Sequence, residues 1–234
     1  MIRATASIVL LDIEGTVAPI SYVYGVLFPH VRTHLRSFLS EHWNDPQVQT
    51  ARKQIATDAA DPSLADDQNR IIIETLRLMD ADSKTTGLKM LQGQIWDVSY
   101  RAGTLRSELF PDVLPALRHW KQAGKTLAIY SSGSVAAQQV FFKYTSEGDA
   151  TPLLSHFFDT TSGPKRSAQS YRTIAAALHT SPESVLFLTD VLEEAAAARE
   201  AGMLTAILLR PGNAPLKKPA DFPTATTLAG ISLD

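Results

Sequence analysis

The sequence predicts an α/β fold: a doubly wound, mostly parallel, Rossmann-like sheet with an all-helical domain inserted after the first strand. Three observations predict it. Short apolar runs recur at wide spacing, helical periodicity fills the intervals between the later runs, and the interval from residue 20 to residue 106 is helical throughout.

The apolar runs lie at residues 7–11, 125–130, 156–159 (short and weak), 185–189 and 205–209. The stronger ones are apolar without alternation, as strands buried on both faces of a parallel sheet must be. Between them, residues 112–123 place Val113, Leu117 and Trp120 on one helical face, and Gly124 follows as a helix stop. Residues 134–143 form a helix with Ser134 as N-cap. Helices at 167–179 and at 192–201, the latter alanine-rich and stopped by Gly202, complete the alternation.

Residues 20–106 break that rhythm. Helical periodicity covers 31–42, 45–59, 66–79 (Ile71, Ile72, Ile73, Leu76, Met79) and 85–102 (Leu88, Leu91, Ile95, Trp96, Val98). A structureless loop rarely exceeds about 15 residues. The segment is therefore read as a domain with its own core, and the α/β core as residues 1–19 and 107–234. The tail carrying Pro211, Pro215, Pro219 and Pro223 reads as a surface loop before a short terminal piece.

Composition sets outer limits. The chain has 234 residues, 44% of them hydrophobic and 20% charged, with a net charge of −2 and no cysteine. This describes an ordinary globular protein without disulfides, thiolate metal sites or a cysteine nucleophile, as expected of the cytoplasm. It lacks the broad basic field of a nucleic-acid binder. No run reaches the roughly 18–20 apolar residues of a membrane span, and Asp12 interrupts the first apolar stretch too early for a signal peptide.

Residues suited to chemistry gather where strands end. Val9-Leu10-Leu11-Asp12-Ile13-Glu14-Gly15-Thr16 runs from an apolar strand into two carboxylates, a glycine that permits a sharp turn and a hydroxyl able to bond the backbone and fix that turn. Ligands of open α/β sheets bind beyond such carboxyl ends. Val185-Leu186-Phe187-Leu188-Thr189-Asp190 repeats the pattern, followed by Glu193 and Glu194. Converging carboxylates suit Mg²⁺, although Asp190 also fits a helix N-cap, and the two glutamates fit first-turn acids. After the second run, Ser131-Ser132-Gly133-Ser134 leads into a helix, where backbone N–H groups and hydroxyls form an anion site matched to phosphate, or an ordinary turn and cap. Lys165 follows Gly163-Pro164 and can neutralise phosphate charge. His30 and His34 stand four apart but form no His-Glu-x-x-His pattern, and no histidine metal site is read.

The order Asp-x-Glu, Ser, Lys, Asp, each element at a strand end, resembles the haloacid dehalogenase-like superfamily of aspartate-nucleophile phosphatases. That resemblance implies Asp12 as nucleophile, Ser131 or Ser132 with Gly133 as phosphate ligands, Lys165 as charge stabiliser, and Asp190 with Asp12 as metal ligands. It also implies that residues 20–106 form a mobile cap. Glu14 stands where most members have aspartate. Together with Phe28-Pro29, Leu91-Gln-Gly-Gln-Ile-Trp96, Tyr130-Ser-Ser-Gly-Ser-Val135, Phe187-Leu-Thr-Asp-Val191 and Arg210-Pro-Gly-Asn213, it makes the chain similar to the enolase-phosphatases of methionine salvage over residues 8–213.

That family implies an Mg²⁺-dependent monomer acting on a small-molecule phosphate ester. It enolises 2,3-diketo-5-methylthiopentyl-1-phosphate, then removes phosphate through an aspartyl-phosphate. The product is the acireductone 1,2-dihydroxy-3-keto-5-methylthiopentene, which makes the enzyme an acireductone synthase. Glu14 stands open as metal ligand, by side chain or backbone, or as acid and base. Glu194 and Thr16 are further site candidates, and Tyr22, Phe28 and Trp96 are candidates to cover the methylthio tail. The competing readings are another phosphatase of the superfamily, for a sugar phosphate or phosphoglycolate, a metal-free dehalogenase, and a receiver domain with Asp159 as acceptor.

Overall fold

The structure, a computed structural model, describes residues 1–215 and 221–233. Pro219 of the proline-bearing tail lies outside these residues. Among the described residues, strands β1 (Ile2–Ala4), β2 (Ile8–Leu11), β3 (Thr126–Tyr130), β4 (His156–Phe158), β5 (Val185–Thr189), β6 (Leu204–Leu208), β7 (Thr224–Ala225) and β8 (Ile231–Leu233) form two sheets. The main sheet has the order β4-β3-β2-β5-β6-β7, and every pairing in it is parallel. β1 and β8 pair separately, also in parallel.

Two features of this topology create a site. The chain runs from β2 outward through β3 and β4, then returns to the other side of β2 for β5, β6 and β7. The end of β2 is thus the topological switch point, where a crevice opens beyond the strand ends. In register, Leu11 faces Ile129 on one side and Leu188 on the other. The residue after Leu11 therefore stands between the ends of β3 and β5. All of β2 is buried, because it is flanked by strands on both edges and covered on both faces.

Two of the helices on this sheet, α7 (Ala168–Ala177) and α8 (Leu192–Glu200), share a core with the inward residues Ile8, Leu10, Ala128, Tyr130, Val185 and Phe187. Alternate residues such as Val9, Leu11, Leu127 and Ile129 are equally buried, so the opposite face is covered too. The other two helices are α5 (Val113–Gln122), packed on β3, and α6 (Val135–Lys143), packed on β4. Ser134 caps α6 by accepting from the Ala137 N–H.

The five apolar runs all appear as strands. β1, β7 and β8 carry too few residues to give a period and have no counterpart in the sequence reading. The tail is also more than a surface loop. Arg210 is buried, Phe222 joins a core cluster, and β7 extends the sheet edge.

The chain divides into two compact units, Met1–Val23 with Arg106–Asp234, and Tyr24–Leu105. The second unit holds α1 (Phe28–His42), α2 (Pro46–Asp58), α3 (Gln68–Asp80) and α4 (Thr86–Arg101), with no strand among them. Its core comprises Val31, Leu35, Leu39, Ile55, Ile71, Leu88, Leu91 and Ile95, among others. Burying each such side chain contributes about 1.5–3 kcal/mol, and this is what lets a four-helix insertion hold its own shape.

Tyr22 lies outside that unit. Its ring packs against Phe141, and its hydroxyl donates to the Arg106 carbonyl at 2.8 Å. A buried Tyr that satisfies its hydroxyl on backbone is a packing residue of the α/β unit, a correction to its reading as part of the insertion.

The helical unit carries a pH-sensitive pair. The Ser99 hydroxyl donates to the Ile95 carbonyl, so at 2.7 Å it accepts from Nε2–H of His30. His34 stacks on His30 at 3.9 Å. Burial, then the His34 charge, lowers the His30 pKa below its ordinary 6.5. A depressed folded-state pKa contributes stability above the unfolded value that is lost as pH falls through the folded one. The helical unit is therefore expected to melt at a lower temperature at pH 5 than at pH 7.5, and His30→Gln should reduce that difference. Calorimetry at the two pH values checks it, and an unchanged difference in the variant would refute it.

Candidate functional site

Asp12 follows the last residue of β2, and its N–H donates to the Leu188 carbonyl on β5 at 2.9 Å. Its side chain is 3% exposed, and Oδ1 lies 2.5 Å from Nζ of Lys165. The same ammonium reaches Oε2 of Glu194 at 2.8 Å. The loop that delivers Lys165 is pinned by three hydroxyls. Tyr130 donates to the Gly163 carbonyl at 2.9 Å, Ser170 to that of Pro164 at 2.8 Å, and Tyr171 to that of Lys165 at 2.7 Å. A rigid loop with a buried ammonium at its end places one positive charge against the Asp12 carboxylate.

Glu14 turns to the other neighbouring strand, where its Oε2 accepts from the Ser131 hydroxyl at 3.3 Å. Gly15 then takes φ 70, and a Cβ there would collide with the Asp190 carboxylate. Only glycine allows the turn to come so close to Asp190. The Thr16 hydroxyl, expected to fix this turn, does not. It is buried without a partner among the described residues. Backbone bonds from Thr16, Val17 and Ala18 to the Ile13 carbonyl hold the turn instead, and Arg210 Nε donates to the Thr16 carbonyl at 2.9 Å.

Asp190 is not the N-cap of α8. Val191 occupies that position, and Oδ2 of Asp190 accepts from the Asn213 amide at 3.0 Å. Glu194 lies in the first turn of α8 but points into the site, where Oε2 also accepts from the Thr189 hydroxyl at 3.0 Å. Its first-turn position is real, yet the lysine and threonine decide what it does.

The loop 131–134 differs from expectation in one respect. Two of the first N–H groups of α6 are already taken, Val135 by Asp159 at 3.1 Å and Ala137 by Ser134 at 3.3 Å. Ser131 is the residue of this loop that meets Glu14, and its Oγ also accepts from the Gly133 N–H at 3.3 Å. Gln138 fixes this loop by donating to the carbonyls of Gly133 and Phe158 at 2.7 and 2.9 Å. Asp159 is engaged by Val135 and by both the N–H and the hydroxyl of Thr161, a structural cap rather than an exposed acceptor. In the helical unit, Phe28 and Trp96 stack at 6.2 Å, and the Trp96 indole donates to the Leu27 carbonyl.

Electrostatics follow from the charge count around this point. Among the described residues, Asp12, Glu14, Asp190 and Glu194 gather around one ammonium, that of Lys165. Burial and then the Asp12 charge push Asp190 up to about 7. The same two causes push Glu194 up to about 7 against the pull of Lys165 and Thr189, and they raise Glu14 against Lys165 and Ser131. Burial opposes the Lys165 charge, but Asp12 and Glu194 together hold its pKa above the ordinary range.

This excess of buried oxygen anion suits a hard divalent cation. Among the described residues no group of three or more His, Cys, Asp or Glu side chains is placed to hold a metal.

A parallel sheet with a buried Asp at its switch point, a Lys paired to it and an Asp on the next strand end is the arrangement of a haloacid dehalogenase-like hydrolase. The model of that family, "Hydrolase: haloacid dehalogenase-like hydrolase", matches residues 6–202. Enolase-phosphatase E1 of Pseudomonas syringae pv. tomato is 47% identical over 87% of this chain and 89% of its own length. Enolase-phosphatase E1 of Sorangium cellulosum is 46% identical over 92% of both. The crystal structure of UTR4 protein from Saccharomyces cerevisiae superposes with a TM-score of 0.81 at 31% identity, covering 95% of this chain and 98% of that one. A dehalogenase crystal structure shares the fold at a TM-score of 0.59 and 18% identity, covering 97% of this chain and 96% of that one. The chain belongs to the enolase-phosphatase E1 family and is an enzyme, a phosphatase of the haloacid dehalogenase-like class.

Three contributors were missed as site residues in the sequence reading: Thr189, Gln138 and Asn213. Thr189 and Asn213 lie inside motifs quoted for the resemblance, but neither has a local pattern that predicts its partner.

Proposed function

We propose that the protein converts 2,3-diketo-5-methylthiopentyl-1-phosphate to the acireductone and inorganic phosphate in methionine salvage, as a cytoplasmic Mg²⁺-dependent enzyme with the helical unit as its cap. The observation that carries this reading is the pairing of Asp12 with Lys165 at 2.5 Å beside a Glu14 that bonds Ser131. Asp12 supplies the carboxylate oxygen that attacks phosphorus, giving an aspartyl-phosphate. Lys165 offsets the charge on the transferred group and holds the Asp12 carboxylate in place through its ion pair. Ser131, Ser132 and Gly133 would hold the remaining phosphate oxygens, the Gly133 N–H exchanging its bond to Ser131 Oγ for one to phosphate.

Glu14 has a raised proton affinity. That suits a group that gives a proton to the leaving oxygen and then takes one from the hydrolytic water. Asp12, Asp190 and an oxygen from residue 14 would hold Mg²⁺. When bound, the cation neutralises phosphate charge and polarises the carbonyl next to the acidic C–H.

Incubation with the diketone phosphate, with enol absorbance and inorganic phosphate followed separately, tests the reading. Both signals should rise, EDTA should remove them, and added Mg²⁺ should restore them. Phosphate without enol would point to another phosphatase of the superfamily. Phosphate release that survives EDTA would reject the metal, and absence of both products would reject the substrate.

A further inference from the structure

Arg210-Pro211-Gly212-Asn213 is a β-turn beyond β6. The Asn213 N–H donates to the Arg210 carbonyl at 3.2 Å, and Gly212 takes φ 88. Pro then Gly with positive φ at the two central positions is the type II signature. The first residue of the turn is anchored. Arg210 donates twice to Asp112 at 2.8 and 2.9 Å, and also to the carbonyls of Thr16 and Thr226. The turn is thereby fastened to the nucleophile loop and delivers one side chain, Asn213, to the strand ends.

The Asn213 amide donates to the Gly15 carbonyl at 2.8 Å and to Oδ2 of Asp190 at 3.0 Å. The opposite amide orientation would set Oδ1 against two acceptors, so the nitrogen must face them. Oδ1 is itself buried without a partner among the described residues. Gly15 is the residue on which a Cβ would strike Asp190 and come within 3.0 Å of the Asn213 amide. The three groups are in mutual contact.

We propose that Asn213 is a positioning residue that fixes the Asp190 carboxylate for cation binding by tying Oδ2 to the backbone of the nucleophile loop. The proposal rests on the reading of Asp12 and Asp190 as Mg²⁺ ligands. The chemistry explains the residue type. The neutral amide, with one N–H on the Gly15 carbonyl and one on Asp190 Oδ2, orients the carboxylate without adding a positive charge that would compete with the cation. With Oδ2 engaged, the second oxygen of Asp190 is the one presented for ligation, in a fixed direction. Partners of this kind, one bond removed from the metal, typically change affinity by about 10–100-fold when lost.

The test is calorimetric titration of Mg²⁺ into metal-free wild type, Asn213→Ala and Asn213→Leu, with circular dichroism to establish the fold. Leucine keeps the volume and removes the donors. Folded variants should bind Mg²⁺ at least about tenfold more weakly, and saturating Mg²⁺ should restore most of their phosphate release. Affinity within twofold of wild type in a folded variant would overturn the proposal, as would activity that excess Mg²⁺ does not recover. Failure of both variants to fold would make Asn213 a determinant of the fold and also overturn it. Wild type that binds no Mg²⁺ would remove the metal reading of the site and this proposal with it.

Discussion

Asp12→Asn is expected to end phosphate release, with turnover falling by roughly 10⁴-fold or more, as loss of a covalent nucleophile does. The change is nearly isosteric, so the buried position at the end of β2 stays filled. Lys165 loses one of its two anions but keeps Glu194 at 2.8 Å, and Gly15 and Asn213 still hold the loop through backbone oxygens. The variant should therefore fold. What it loses is the oxygen that attacks phosphorus, which an amide does not replace. Asp12 also contributes to raising Glu14, Asp190 and Glu194, so its neutralisation relaxes the whole cluster rather than straining it. Single-turnover phosphate release, with intact-mass detection of a phosphorylated chain, checks the assignment. Substantial residual turnover, or a phosphorylated variant, would sink it.

Lys165→Ala should show the second-largest effect, on both activity and stability. Among the described residues, the ammonium is the positive charge bonded to Asp12 and Glu194, at 2.5 and 2.8 Å. Removing one partner of a buried ion pair typically costs about 3–5 kcal/mol, because the remaining charge stays buried and uncompensated. Loss of a group that stabilises developing charge lowers turnover by roughly 10²–10³-fold.

The two losses differ in pH dependence. Without Lys165 the Glu194 carboxyl takes up its proton more readily, and it already sits at about 7. A folded-state pKa raised above the unfolded value of 4.5 gives stability that is present at low pH and lost as pH rises through the folded value. The destabilisation of Lys165→Ala should thus be smaller at pH 5 than at pH 8. Urea denaturation at the two values reads it. A variant equally stable at both, or one that retains turnover, would refute the role assigned to this lysine.

Much of the site was visible in sequence because strand ends are local. An apolar run that stops at a carboxylate marks Asp12 and Asp190 without knowledge of their neighbours. A Gly-Pro before Lys165, and Ser-Ser-Gly before a helix, mark loops in the same way. The helical insertion was visible for a similar reason, since a period of 3.6 sustained over several segments needs no tertiary partner. The errors share the opposite property. Thr16 was expected to bond its own turn, and its hydroxyl bonds nothing there. Tyr22 was read with the insertion, but its ring finds Phe141. Neither outcome is encoded within a few residues of the side chain concerned.

Sequence alone thus determined the fold class and the order of the four motif positions, set by local periodicity and by residue type at strand ends, while the family entered through the resemblance of its motifs. Only the tertiary structure decided who meets whom. Placing β2 between β3 and β5 brings Lys165 to Asp12 across 153 residues and Asn213 to Gly15 across 198. It also turned Glu194 from a first-turn acid into a partner of Lys165, and a Pro-Gly turn in the tail into a clamp on Asp190. The physical reason is that a hydrogen bond or ion pair depends on distance in space. The packing of the sheet creates that proximity, and no repeat or spacing along the chain records it.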